Sequence, residues 1–363
     1  MGLGAIVVIG GEPGALGSAV TKETGASFTE PLPYLDILGR STVERIIERF
    51  VRAETEVVSL LVQDDKAHCV APSPRAFENA DVQFVIDSCA AIRDKLQEYS
   101  QNGVEHTFVV SGSVYAETDL LDLFYFHREA RQAATRALDR QGPLDLWVVD
   151  CKKAQQSALS NFLTQPAISG NSYFIREYVK RLTHPEDLRQ FVSDVLRGRC
   201  AARPPGQEIK RGIWIDDGAE VNRRARIVAP AYIGRASKVM EDTLITRCSS
   251  VEKDCCIDYG TIVENSSILQ NTHVGICLDV CHGIANGNKF MSLSRNVVIE
   301  ISDPAVMRSN SMLPKQAKVR KRATSGLLFR RRKKEHQIVN ELQPAAAPAP
   351  DQCGLAPNPI QGG

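Results

Sequence analysis

The sequence predicts an α/β domain followed by a parallel β-helix and a disordered tail, and three observations carry this prediction. Strand-like and helix-like segments alternate through the first part of the chain. Ten hexapeptides, each opening on an aliphatic residue, then run without a break over residues 215–274. The chain finally becomes basic and afterwards rich in Pro and Ala. We therefore expect domains at residues 1–202 and 203–303 and a tail at 304–363.

The first domain is predicted to be a layered α/β fold with a mostly parallel sheet. Short apolar runs alternate with amphipathic segments, which is the pattern of strands joined by crossover helices. Ser41 with Glu44 three residues later predicts a helix start with a capping box. The expected strands lie at 5–9, 57–62, 106–110 and 144–149, and the expected helices at 41–53, 76–100, 118–132 and 185–197.

The second domain is predicted from a period of six, which fits neither a helix nor a hairpin and is typical of a parallel β-helix. The aliphatic residue of each repeat should fill the axis of the coil, and a small residue four places later should fit the corner. The first positions are Ile215, Val221, Ile227, Ile233, Val239, Ile245, Val251, Ile257, Val263 and Leu269. The corner positions are Ala219, Ala225, Ala231, Ser237, Thr243, Ser249, Cys255, Thr261, Ser267 and His273.

Composition predicts a cytoplasmic protein. The 44 basic and 43 acidic residues nearly cancel, so the chain as a whole is not an evident polyanion binder. It has no apolar run of membrane-spanning length, and the first residues lack the features of a signal peptide. Ten Cys occur without a Cys-x-x-Cys pair, which favours a reducing compartment.

Several stretches, taken in their order along the chain, resemble the sugar-1-phosphate nucleotidyltransferase family, that is, NDP-sugar pyrophosphorylases of the mannose-1-phosphate guanylyltransferase type. They cover the segment before the first helix, the strand and turn near its middle, the closing helix and the entry into the hexapeptides. These stretches are 33–40, 109–113, 184–188 with 195–198, and 212–215.

The resemblance implies a Rossmann-like nucleotidyltransferase sandwich followed by a left-handed β-helix. It also implies a nucleotide or sugar nucleotide as ligand and, by analogy with relatives, a homo-oligomer formed through the β-helix. A glycine-bearing turn would cradle phosphates after the first strand. The nucleotide-binding candidates are Gly10, Gly11, Gly14, Gly112 and Ser113, and the sugar-binding candidates are Gly170 and Asn171.

Departures from the family pattern predict that the chain has no catalytic residues and needs no cofactor. Ala15 stands where the family has Arg, Leu32 where it has Lys, and Ser113 where it has the Asp that holds Mg²⁺. Loss of one preorganised charge typically costs about 10²–10³ in rate, although such losses are not additive. We therefore expect a non-catalytic regulator or scaffold of sugar-nucleotide or polysaccharide metabolism.

The alternative is an active enzyme that makes an NDP-sugar and pyrophosphate. It would need Mg²⁺ and a carboxylate from elsewhere in the chain. Asp36, Asp87 and Asp150 are the available residues, and Asp150 is the best placed because it follows an apolar strand. The segment 180–182, where the family's second metal ligand is expected nearby, holds no carboxylate.

Two further hypotheses concern the hexapeptide region. A hexapeptide acyltransferase would use a His as general base, and His282 is the candidate. Cys277 and Cys281 with His273 and His282 have the residue types of a zinc site. We expect His273 to be structural, and we predict no metal site.

The tail carries a separate charge feature. Residues 315–334 contain ten Lys or Arg and no acid. This segment would contact an anionic membrane or a protein partner, or act only as a solubilising tail. It has no aromatic ladder, so we expect no specific binding of nucleic acid.

Overall fold

The computed structural model describes residues 2–10, 32–63, 80–85, 88–156 and 172–310. Its first part contains a seven-stranded sheet in the order β3-β2-β1-β4-β7-β6-β8. These strands are β1 Gly2–Ile9, β2 Val57–Gln63, β3 Ala80–Val85, β4 Val104–Ser111, β6 Ala134–Asp139, β7 Gly142–Asp150 and β8 Tyr173–Phe174. A separate antiparallel pair is formed by β5 Val114–Ala116 and β9 Val179–Arg181.

The sheet is mixed, but its first four strands in spatial order are parallel to one another. Strands β3, β2, β1 and β4 run in the same direction. Strand β7 is antiparallel to both β4 and β6, whereas β8 is parallel to β6. Four of the six neighbouring pairs are therefore parallel, which confirms the expected mostly parallel α/β sheet.

Helices cover both faces of this sheet. Helices α1 Thr42–Arg52 and α3 Leu120–Ala130 contribute to one buried cluster, and α2 Ser88–Gln101 and α4 Cys151–Gln156 to the other. Along β1, Val7 faces the first cluster while Ile6 and Val8 face the second. A strand covered on both sides loses the polar alternation of a half-exposed strand, and this explains the apolar run that marked β1 in the sequence. The fifth helix, α5 Pro185–Leu196, follows β9.

The structure confirms one helix start and corrects another. At α1, Ser41 Oγ accepts from the Glu44 N–H at 3.2 Å, and the Glu44 carboxylate accepts from the Ser41 N–H at 2.8 Å. The helix expected over residues 76–100 was wrong in its first part, because residues 80–85 form the edge strand β3. Polar and apolar residues alternate there with a period of two, and the helix begins at Ser88.

The second part of the chain is a coil in which successive strands enter three sheets in rotation. Vertical neighbours are parallel and 18 residues apart in the early coils, as in the pairing of Ile213 with Ala231. This parallel arrangement agrees with the strand-rich second domain that the hexapeptides predict. The first sheet holds β10 Gln207–Lys210, β11 Ile213–Ile215, β14 Ala231–Ile233, β17 Ser249–Val251, β20 Ser267–Ile268, β23 Gly283–Asn286, β24 Lys289–Ser292 and β25 Val297–Glu300. The second holds β12 Glu220–Val221, β15 Lys238–Val239, β18 Cys256–Ile257, β21 Thr272–Val274 and β26 Met307–Ser309, and the third holds β13 Arg226–Ile227, β16 Leu244–Thr246, β19 Ile262–Glu264 and β22 Asp279–Cys281.

The repeat loses one residue in the last hexapeptides. Ile268, not Leu269, fills the coil axis after Val263, whereas Leu269 packs in the cluster between the coil and the α/β domain. From this point the vertical register becomes 17 residues, as in the pairing of Ser250 with Ser267. The assignment of Leu269 to an axial position and of His273 to a corner was therefore wrong, and Thr272 takes the buried place two residues before Val274.

The coil ends in antiparallel additions. Strands β23, β24 and β25 pair antiparallel in succession, and β26 pairs antiparallel with β21. Strand β26 lies beyond residue 303, the position at which we expected the coil to give way to the tail. Among the described residues no helix has the length and apolarity needed to cross a membrane.

A loop of the α/β domain docks on the coil through a buried carboxylate. Glu252 accepts from the backbone N–H groups of Leu38 at 2.9 Å and Gly39 at 2.8 Å. Both donors have positive φ, so successive N–H groups point to the same side and form an anion-binding concavity. Beside them Asp36 pairs with Lys253 at 2.8 Å.

Helix α5 contributes a second polar anchor. Arg189 is 6% exposed and donates to Ser267 Oγ at 2.8 Å, to the Cys248 carbonyl at 3.1 Å and to Asn265 Oδ1 at 3.0 Å. Burial lowers the pKa of Arg189 to about 10. One apolar cluster, which includes Phe191 of α5 and Tyr232 and Leu269 of the coil, surrounds these contacts.

Candidate functional site

The strand order predicts a crevice at the carboxyl ends of β1 and β4. The chain moves from β1 outward to β2 and β3 and then returns to the other side of β1 as β4. In open α/β sheets, ligands bind where such a reversal of strand order leaves a gap between neighbouring loops. Gly10 directly follows β1, and Gly112 and Ser113 follow β4, so three of the sequence-predicted nucleotide-binding residues lie at these strand ends.

Gly112 brings two backbone segments into close contact. Its N–H donates to the Val8 carbonyl at 2.8 Å, so it extends the β1–β4 ladder and is not free for a phosphate. A Cβ at this position would lie 2.9 Å from Ile9 Cγ1 and 3.3 Å from Pro33 Cβ. The glycine therefore allows β1, the end of β4 and the turn Leu32–Tyr34 to pack closely together.

Ser113 is 5% exposed and is held on both sides. Its N–H donates to Ser111 Oγ at 3.3 Å, and its carbonyl accepts from the Leu182 N–H at 2.8 Å. The nearby strand β9 brings Lys180, which pairs with Asp187 at 2.9 Å. Asp187 also accepts from Thr183 and His184 at the start of α5, so this carboxylate is committed to the helix cap.

Two carboxylates that could have replaced the missing metal ligand lie elsewhere. Asp150, the best candidate, is opposite His106 at the amino end of β4, the edge of the sheet away from Gly112. It accepts from the N–H groups of Lys152 at 3.1 Å and Lys153 at 3.0 Å and so caps α4. Asp36 is 7% exposed and faces Lys253. Asp87 lies outside the described residues.

Other sequence-predicted candidates also fall outside the described residues. These are Gly11 and Gly14 of the glycine turn with Ala15, the sugar-binding candidates Gly170 and Asn171, and the basic segment 315–334. Leu32, at the position of the family's Lys, begins the turn Leu32–Tyr34 and packs on the cluster between domain and coil. These apolar contacts indicate that Leu32 helps to join the α/β domain to the coil.

The structure places His282, the acyltransfer candidate, and His273, a member of the possible zinc site, in different surroundings. His282, the acyltransfer candidate, is exposed, has positive φ, and its Nδ1 lies 2.8 Å from Asn265 Nδ2. His273 is buried, and among the described residues it groups with Cys256 and Asp258 and not with Cys277 or Cys281. The four-residue zinc constellation considered from the sequence does not form.

The group of Cys256, Asp258 and His273 is a compact set of donor atoms on the outer face of the coil. Cys256 and Asp258 flank the inward-facing Ile257, and His273 is the vertical neighbour of Cys256 on the next coil. His273 Nε2 lies 2.9 Å from Asp258 Oδ2, and Cys256 Sγ lies 3.6 Å from Asp258 Oδ1. One donor atom from each residue lies within 4.8 Å of the other two. Burial, with the neighbouring Asp258, raises the pKa of Cys256 to about 11.

Sequence reasoning missed this group because it compared residues close in the chain. Residues one coil apart become vertical neighbours, and the register of 17 residues after the slip brings His273 beside Cys256. A search at the coil period, allowing for the lost residue, would have paired them. The polar anchors Glu252 and Arg189 have no such periodic signal.

Comparisons with known proteins leave the family open. No family model matches the chain, and no curated protein matches it. Among solved structures, the crystal structure of HddC from Yersinia pseudotuberculosis is similar over 53% of this chain and 100% of that chain, with 15% identity and a TM-score of 0.39. A similarity this distant carries no argument about function.

Proposed function

We propose that the chain is a nucleotidyltransferase-like protein that binds a nucleotide or sugar nucleotide in the β1–β4 crevice without catalysing transfer. The observation that carries the proposal is the reversal of strand order between β1 and β4, with Gly10, Gly112 and Ser113 at the carboxyl ends. Nucleotide ligands of doubly wound sheets occupy that place. Ser113 stands where the family has a metal-binding Asp, and Asp36 and Asp150 make their contacts elsewhere in the molecule. These observations support binding without catalysis.

The wider setting belongs to the same proposal. The protein would act in cytoplasmic sugar-nucleotide or polysaccharide metabolism as a regulator or scaffold. The coil would be left-handed, as in the family that the sequence resembles, and would support a homo-oligomer. The basic segment 315–334 would contact an anionic membrane or a protein partner.

The binding claim is tested by thermal unfolding of the full chain with Mg²⁺ and panels of nucleoside triphosphates, NDP-sugars and coenzyme A. We expect a nucleotide or NDP-sugar to raise the unfolding midpoint, because a ligand that binds only the folded state stabilises it by mass action. With sugar 1-phosphates added, we expect no pyrophosphate. Release at about 1 s⁻¹ or faster, the range of ordinary enzymes, would show an active nucleotidyltransferase, and stabilisation by coenzyme A alone would favour an acyltransferase.

The variant Gly112→Ala tests whether the nucleotide binds in the β1–β4 crevice. The new methyl group would meet Ile9 and Pro33 and narrow the crevice, so we expect nucleotide affinity to fall at least about tenfold, which is about 1.4 kcal/mol. Gly103→Ala is the control for affinity, because Gly103 precedes β4 at the opposite edge of the sheet and an added Cβ there meets nothing within 4 Å. Its φ of +88° makes this variant less stable, so it also controls for a loss of stability without a change at the crevice. Equal affinity in the two variants would place the ligand elsewhere.

A further inference from the structure

The group of Cys256, Asp258 and His273 combines three chemically different donors on a rigid support. Cys256 and Asp258 point outward from either side of Ile257, whose side chain fills the coil axis. His273 is fixed one rung above by the parallel pairing of β18 with β21. Donors that project from strands keep their relative positions better than donors on loops.

The donor set and spacing fit a borderline transition metal. Thiolate, imidazole and carboxylate are ligands of Zn²⁺, with Zn–S near 2.3 Å and Zn–N and Zn–O near 2.0–2.2 Å. These bond lengths place the ligand atoms of a tetrahedral ion about 3.3–3.6 Å apart. The group has separations of 2.9 Å between Nε2 and Oδ2 and 3.6 Å between Sγ and Oδ1. One donor atom from each residue lies within 4.8 Å of the other two, so side-chain adjustment is needed to bring all three to bonding distance of one ion.

We propose that Cys256, Asp258 and His273 bind one Zn²⁺-type ion and thereby link two successive coils. Three protein ligands leave a fourth position for water. The ion with one thiolate and one carboxylate has no net charge, so the neighbouring cations Lys238 and Arg308, which are vertical neighbours of Cys256 and His273, oppose it little. This proposal is independent of the proposed nucleotide-binding function.

The geometry argues against a cysteine nucleophile activated by the same residues. A Cys–His–Asp arrangement needs the thiol to bond one ring nitrogen while the carboxylate bonds the other. Here Nε2 of His273 meets Asp258, and among the described residues the buried Nδ1 has no hydrogen-bond partner. Cys256 Sγ instead lies beside Asp258, as expected when all three donors surround one point.

The proposal is tested by adding Co²⁺ to chelator-treated full-length protein and recording the absorption spectrum. We expect saturation at one equivalent, with a thiolate-to-cobalt charge-transfer band that Zn²⁺ removes. Cys256→Ser should abolish the band. Cys281→Ser is the matched control, because Cys281 also lies on a coil strand but outside the group. Absence of the band in the wild type, or its survival in Cys256→Ser, would overturn the site.

A second variant keeps the proposal testable if Cys256→Ser does not fold. Asp258 has 28% of its side chain accessible, and Asn has nearly the same size, so Asp258→Asn should fold. Loss of an outer-sphere partner already costs about 10–100-fold in metal affinity, and we expect loss of this ligand to weaken Co²⁺ binding at least about 100-fold. Zn²⁺ should raise the unfolding midpoint of the wild type but not of this variant. An unchanged affinity in Asp258→Asn would contradict the proposed coordination.

Discussion

At the scale of single residues, buried ionisable groups contribute to joining the two parts of the molecule. Burial raises the pKa of Glu252 to about 8 from an ordinary 4.5, although two backbone N–H groups partly offset that cost. The folded state therefore binds a proton that the unfolded state has released between these two values. This carboxylate makes the stability of the domain–coil contact depend on pH.

We predict that the contribution of Glu252 to the free energy of unfolding falls as pH rises from about 4.5 to about 8 and then levels off. Below that window Glu252 is protonated in both states, and above it the folded state carries a desolvated charge. Glu252→Gln should flatten this dependence. It should also cost about 1–3 kcal/mol, because one of the two N–H donors loses its acceptor. Denaturant unfolding of the wild type and the variant across the window measures both effects, and the same pH dependence in the two proteins would contradict the assignment.

At the scale of elements, the helix cap and the hexapeptide repeat could be predicted from the sequence. The point at which the repeat loses a residue could not. The reciprocal bonds of Ser41 and Glu44 followed from two residues three places apart. The lost residue before Ile268 could not be inferred from the hexapeptide count, because Leu269 is also aliphatic and satisfies the period. Only tertiary contacts show that Leu269 belongs to the domain–coil cluster.

Ser41→Ala tests the cap of α1. We expect a loss of about 0.5–2 kcal/mol in the free energy of unfolding, since the Glu44 N–H loses its acceptor, while the bond from the Ser41 backbone N–H to the Glu44 carboxylate remains. Ser100→Ala, in the last turn of α2, is a matched control with an expected change within about 0.5 kcal/mol. Equal losses in the two variants, measured by urea unfolding, would show that the cap contributes nothing.

At the scale of the whole molecule, the α/β domain and the coil share one buried cluster and two polar anchors. The sequence suggested two domains joined near residues 203–206, and it carried no sign of this docking. Glu252 and Arg189 carried no signal because their partners lie far away in the sequence, and Asp36 was considered only as a metal ligand. The crevice was more accessible to sequence reasoning, because strand ends followed by Gly or Ser are local features.

Gly39→Ala tests whether the two parts unfold together. A Cβ there would lie 2.4 Å from Tyr232 Oη and 2.5 Å from Pro205 Cγ, at a φ of +73°. Gly198→Ala is the control, with a φ of +69° and nothing within 4 Å of an added Cβ. Both variants should lose about 1 kcal/mol from backbone strain, and only Gly39→Ala should separate calorimetric unfolding into two transitions. A single transition in both would mean that this loop is dispensable for coupling.

The Glu252 contact also fixes the number of coil turns between the linker and Glu252. The loop of Leu38 and Gly39 reaches one rung, and each rung is displaced from the next by about 4.8 Å, the spacing of hydrogen-bonded strands. Gain or loss of a full turn between the linker and Glu252 would carry the carboxylate beyond hydrogen-bonding reach. Turns in that stretch therefore cannot vary in number without a compensating change in the loop, whereas growth at the far end leaves the contact intact.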